Sequence, residues 1–265
     1  MRILLKSLKT QLFVISLLLF ITDANAKVWQ VTAQDSLQEI LDQTVTGDNV
    51  QLQAGRYLGN FVINQGIELA GSDAILDAQG KGHGILINAA GVTINALRIV
   101  NWGDDLTEQN AGIYSDKNSN NIIIKKCHLE GPGFGIWLQG GEHNQVLDNT
   151  VIGNDQLRSA DRGNGIQISN MKHTEVRGNN ISKTRDGLYV ISSTNNTLAN
   201  NTVHDLRYGI HYMYSYHNKI LNNYAYNTRA GYAMMNSRHL EIRGNVTENS
   251  HDYGFLINFI IYSTF

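Results

Sequence analysis

A short phrase recurs along most of this chain: a glycine, an apolar residue, any residue, then usually another apolar one. It reads GILI from Gly84, GIYS from Gly112, GIWL from Gly135, GIQI from Gly165, GLYV from Gly187, GIHY from Gly209, GYAM from Gly231 and GFLI from Gly254. The last four intervals are 22, 22, 22 and 23 residues. A regular period in this range marks a solenoid, because each unit buries its apolar face only by stacking on its neighbours. Other columns keep the same phase. One residue after the glycine come Ile113, Ile136, Ile166, Leu188, Ile210 and Tyr232, and eleven after it come Ile123, Val146, Val176, Leu198, Ile220 and Ile242. Fourteen after it come Asn149, Asn179, Asn201, Asn223 and Asn245. Asparagines repeated at the strand-stacking distance of about 4.8 Å form an amide ladder, and asparagine also tolerates the left-handed backbone of a tight corner.

With 25 glycines, one proline and almost no long helical periodicity, the chain has the composition of many short strands joined by tight turns. The expected fold is all-β: a right-handed, single-stranded parallel β-helix with three short strands per coil of about 22 residues. Ser36 to Glu39 reads as a capping box that opens a short helix ending near Leu41, placed to cover the first coil. Segments 47–63 and 91–101 read as early strands, and residues 27–265 as one domain. Two units are longer than the rest, with extra residues at 101–111 and 154–164. Both insertions precede a unit-starting glycine, so they are expected to project from one corner and build a binding face.

Residues 1–26 are set apart from the repeat. Arg2, Lys6 and Lys9 precede the apolar run Leu12 to Ile21, and Ala24-Asn25-Ala26 follows, which is the pattern of an export signal cleaved after Ala26. Without that segment the balance is 18 Lys and Arg against 22 Asp and Glu, a net charge of −4. An acidic exported chain is not built for nucleic acid. Cys127 is the sole cysteine, so no internal disulfide can form, and a buried small residue is the expected role.

Strand alternation assigns the side chains of each unit. If Ile210 and Tyr212 point inward, His211 and Met213 point outward. The outward row is then Tyr114, Trp137, Gln167, Tyr189, His211, Ala233 and Leu256; the row two residues on contains Met213 and Met235, neighbours on adjacent coils. An imidazole and two thioethers form a soft ligand set suited to Cu(I), and His211, Met213 and Met235 are the candidate metal ligands. Exposed histidines and apolar-covering methionines are the plainer alternative. His217 and His239 lie further round the coil as weaker candidates. Arg185, Arg207, Arg229 and His251 form a basic column at the corner of the acidic insertions. Salt bridges across the corner are one reading, and a docking or anion-binding surface the other. Tyr114 and Trp137 could stack on sugar rings or on a partner. A carbohydrate-binding or carbohydrate-cleaving β-helix is therefore the alternative function, although no paired carboxylates of defined spacing support catalysis.

The strings "DGLYVISSTNN", "RYGIHYMYSYHN", "GYAMMNSRHLEIRGN" and "HDYGFLIN" resemble those of the periplasmic NosD family, maturation proteins of nitrous oxide reductase. The resemblance is strongest from about Gly165 to Asn258. It implies a non-enzymatic periplasmic role in assembling the reductase's copper–sulfide centre, with a membrane ABC transporter and a copper chaperone as partners. Copper contact at His211, Met213 and Met235 fits that role. The family continues for further coils, whereas "FIIYSTF" at 259–265 follows no column, so a shortened solenoid with an uncovered apolar end is expected.

Overall fold

The computed structural model describes residues 26–117 and 120–265. The export segment lies, but for Ala26, outside them. The described chain is a parallel β-solenoid of about 11 turns with very little helix. One sheet stacks ten strands from Val28–Val31 to Glu241–Arg243, and a second joins the other two sides of the coil. Adjacent coils stay in register: Ile113 pairs with Ile136, Ile136 with Ile166, Ile166 with Leu188, Leu188 with Ile210, and Ile210 with Tyr232. Of these, Ile113, Ile136, Ile210 and Tyr232 are fully buried.

The strands are not uniformly short. Thr202–Met213 and Tyr224–Arg238 run through a corner and pair continuously from Thr202↔Tyr224 to Met213↔Met235. That join merges two sides of the coil into one sheet and holds the later coils' outward side chains in a fixed ladder.

The asparagine ladder is formed as expected. Asn179 Nδ2 donates to Asn201 Oδ1 at 2.9 Å, Asn201 to Asn223 at 2.9 Å, and Asn223 to Asn245 at 2.9 Å. The left-handed residue is the one before each ladder asparagine: Asp148, Asn200 and Asn222 have φ of 56°, 54° and 53°. The ladder asparagines themselves satisfy buried backbone groups, Asn201 accepting from Asn179 N–H and donating to the carbonyl of Val176. The repeated glycines answer a packing demand. A Cβ on Gly209 would lie 2.4 Å from the carbonyl oxygen of Gly231 on the next coil.

At the N-terminal end the helix spans Leu37–Gln43, slightly past the expected stop. Ser36 is its N-cap, but its side chain makes no capping bond, so the capping box is not used. Instead Gln38 accepts from Val62 N–H at 2.8 Å and donates to Val62 C=O at 3.1 Å, satisfying the edge strand Phe61–Ile63 that no coil covers.

The last coil corrects a second expectation. Tyr253–Ile261 pairs with Tyr224–Arg238, carrying Ile260 opposite Ser237 and Ile261 opposite Arg238. Ser263 then accepts from Leu240 N–H at 3.0 Å, as Asn218 accepts from Asn196 N–H two coils earlier. The tail therefore follows the columns, with serine in place of asparagine hiding the match. Phe255, Ile257 and Phe265 are exposed on this coil.

Candidate metal centre

The site grows from one carboxylate in the glycine-flanking column. Asp186 opens the strand Asp186–Ile191 and pairs with Tyr208 on the next coil. Its side chain is 1% exposed and accepts two bonds from Arg207, Nε to Oδ1 at 2.8 Å and Nη2 to Oδ2 at 2.7 Å. His211 Nδ1 lies 2.9 Å from the same Oδ2. Burial alone would raise the Asp186 carboxyl, but the hydrogen bonds from His211 and Arg207, with the guanidinium charge, outweigh it and hold it below the ordinary carboxylate value. An ionised carboxylate only accepts, so the imidazole proton facing it sits on Nδ1.

That assignment leaves Nε2 of His211 as the nitrogen available to a ligand. It is buried and, among the described residues, has no hydrogen-bond partner. A buried polar atom without a partner calls for an explanation, and a histidine oriented by a carboxylate through its other nitrogen is the usual form of a metal ligand. The ring is fixed from both sides, with Tyr189 at 4.8 Å between centroids and Tyr208 edge-on at 5.2 Å. Tyr189 Oη donates to Met213 Sδ at 3.4 Å, orienting that thioether. Met213 and Met235 are direct neighbours on adjacent strands, both half-buried.

The row expected to face solvent is covered: Trp137, Gln167 and His211 are all less than 10% exposed. Both insertions contribute the cover. A cleft of about 490 Å³ is lined by Leu106 from one, Arg162 from the other, and Phe134, Arg185, Asp186, His211 and Met213. Arg162 donates to the carbonyls of Asp155, Leu157 and Lys183, folding its loop back over the coil. The insertions and the outward row thus meet at His211 and Met213, with Met235 beside Met213 and outside the cleft lining.

The basic column divides. Arg207 is committed to Asp186, Arg229 to Asp252, and His251 Nδ1 also contacts Asp252. Among the described residues no salt bridge forms between the column and the insertion acids; Asp161 pairs with Arg158 and Asp155 with Lys183. Among the described residues Arg185 makes no ion pair, and with Arg162, Arg207 and Arg229 it lines a second cleft of about 450 Å³. Trp137 is 9% exposed and packs edge-on against Phe134, while Tyr114 stacks on His83 at 4.6 Å. Trp137 is thus covered, while Tyr114 is half-buried with its ring against His83. Cys127 is buried, and burial pushes its thiol up to about 11, so it serves as packing. Among the described residues no three His, Cys, Asp or Glu side chains gather around one point.

Sequence reasoning missed Asp186. Its signal was a carboxylate directly before Gly187, where the matching positions hold His83, Ala111, Phe134, Asn164, Tyr208, Ala230 and Tyr253.

Comparison with known proteins bears on the same segment. Residues 147–265 match the family described as "Periplasmic copper-binding protein (NosD)". A "Probable ABC transporter binding protein NosD" of Pseudomonas aeruginosa is 44% identical over 138 residues, covering 51% of this chain and 32% of that protein. The protein of the same description from Stutzerimonas stutzeri is 36% identical over 138 residues, covering 52% of this chain and 32% of its own length. The chain therefore spans about a third of the length of these relatives. Among solved structures, pectate lyase Pel9A superposes with a TM-score of 0.67 at 11% identity, covering 89% of this chain and 78% of that one, a likeness of fold alone.

Proposed function

We propose, from the match of residues 147–265 to the family described as a periplasmic copper-binding protein (NosD), that the chain is a periplasmic copper-binding protein that helps assemble the copper–sulfide centre of nitrous oxide reductase, working with a membrane ABC transporter and a copper chaperone. The role is one of binding and handing on, without catalysis. Both curated relatives carry the name of a transporter binding protein.

One observation carries the copper reading: among the described residues the Nε2 of His211 is buried without a partner while Asp186 holds Nδ1. Imidazole and thioether donors fit Cu(I), the soft cargo ion, better than Ca(II) or Mg(II). His211 and Met213, with Met235 beside them, would hold it. Asp186 fixes the imidazole proton on Nδ1 and the ring orientation, and Arg207 balances the buried carboxylate. Leu106 and Phe134 shield the donors from water. Arg185, with Arg207 and Arg229, forms the docking side of the same corner, with His251 at its edge, suited to an acidic partner surface.

Titration with Cu(I) under reducing conditions, against a chromophoric chelator, tests the reading. The chain binds copper stoichiometrically, and replacing His211, Met213 and Met235 together by alanine weakens binding. Unchanged affinity in the triple variant removes the site.

A further inference from the structure

Around another corner of the coil, four histidines form two stacked pairs that the site above does not use. His143 and His173 on adjacent coils have ring centroids 5.1 Å apart and planes 10° from parallel. His217 and His239, two coils further on, stand 4.5 Å apart at 4°. All four are exposed. Among the described residues none of their ring nitrogens has a hydrogen-bond or ion-pair partner.

The backbone explains their direction but not their identity. All four have left-handed φ, between 50° and 59°, which fixes each Cβ at the same point of the turn. Asn121 and Asn195 occupy the same corner in other coils with φ of 56° and 58°. Asparagine therefore meets the conformational demand, and histidine adds an imidazole the turn does not need.

We propose that this edge is a divalent transition-metal site, with His217 and His239 as one chelating pair and His143 and His173 as another. Two metal–nitrogen bonds of about 2.0–2.1 Å at a tetrahedral angle set the nitrogens about 3.3 Å apart. The parallel rings, 4.5 Å apart, must therefore turn out of the stack so that their in-plane lone pairs converge on one ion, and for His239 that also loosens its stacking on Tyr262. Exposure of all four side chains leaves room for that turn. Neutral imidazole pairs with open water positions suit Zn(II), Ni(II) and Cu(II), in contrast to the thioether set at Met213 and Met235. The edge does not depend on the Cu(I) site, because it shares no residue with it.

The native corner supplies the test substitution, since Asn121 and Asn195 show that asparagine is accommodated. Zn(II) calorimetry on the untagged chain shows binding that loses one equivalent in His217→Asn/His239→Asn and another in His143→Asn/His173→Asn. The quadruple variant keeps its far-UV spectrum and its Cu(I) affinity but passes unretained through a Ni(II) column that holds the parent. His251→Asn, an exposed histidine outside the edge, changes nothing. Zn(II) binding that survives in the quadruple variant, or is absent in the parent, overturns the proposal. Loss confined to His217→Asn/His239→Asn restricts the site to the tighter pair.

Discussion

Asp186 and His211, 25 residues apart in sequence, meet across one coil boundary with Oδ2 2.9 Å from Nδ1. The contact exists because the coils stack in register: Leu188 pairs with Ile210 and Tyr189 with His211, so the side chain that opens one strand reaches the imidazole above it. A carboxylate that holds a histidine by one nitrogen both sets the ring's tautomer and aims the other nitrogen into the cleft.

Replacing Asp186 by asparagine therefore acts twice. Breaking a buried ion pair by removing one partner costs about 3–5 kcal/mol, with the lower part of that range expected because the Arg207 side chain keeps 25% exposure. Cu(I) affinity falls about 10–100-fold, the usual effect of losing a carboxylate behind a ligating histidine. Denaturant unfolding and chelator competition measure the two effects separately.

Acid stability follows from the same carboxylate. Its folded pKa is lowered, so its contribution is present above the unfolded value near 3.9 and is lost as pH falls through the lowered folded value. Melting temperatures measured from pH 7 down to about 2.5 should fall more steeply below about pH 4 in the parent than in Asp186→Asn. Parallel curves would show that Asp186 is not the titrating group.

The asparagine ladder predicts a position-dependent cost. Asn201 accepts from the backbone N–H of Asn179 and donates to the carbonyl of Val176, both buried. Asn201→Ala orphans those groups at about 1–3 kcal/mol each. Asn245, at the partly exposed end of the ladder, should cost measurably less when changed the same way. Equal losses in urea unfolding would contradict the burial argument.

Gly209→Ala tests the coil spacing. The added methyl meets the Gly231 carbonyl, part of the backbone of the next coil, and cannot be relieved by a rotamer change. Destabilisation of at least about 1–3 kcal/mol is expected, read from the unfolding midpoint.

The solenoid was legible because every coil repeats the same physical demands, so Ile210, Tyr212 and Asn201 could be placed by column alone. The long strand through Thr202–Met213 was not, since nothing in its sequence breaks at the corner it crosses. Solvent exposure was the weak step. Alternation correctly turned His211 and Trp137 away from the coil interior, but it could not show that Leu106, Phe134 and Arg162 cover the outer face. Asp186 escaped notice because its partners lie one coil away, at separations of 21 and 25 residues that only the stacked register brings together. The tail was misread for a related reason: Ser263 meets the demand that asparagine meets elsewhere.

The central claim is that Cu(I) binds through one imidazole and the neighbouring thioethers. X-ray absorption at the copper edge, with Cu(I) loaded at one equivalent, compares the parent with Met213→Leu/Met235→Leu, a change that keeps side-chain volume. The account predicts nitrogen and sulfur scatterers in the parent, with the sulfur lost in the double variant and the nitrogen lost in His211→Ala. A parent spectrum without sulfur, or one that the methionine changes leave untouched, would contradict it.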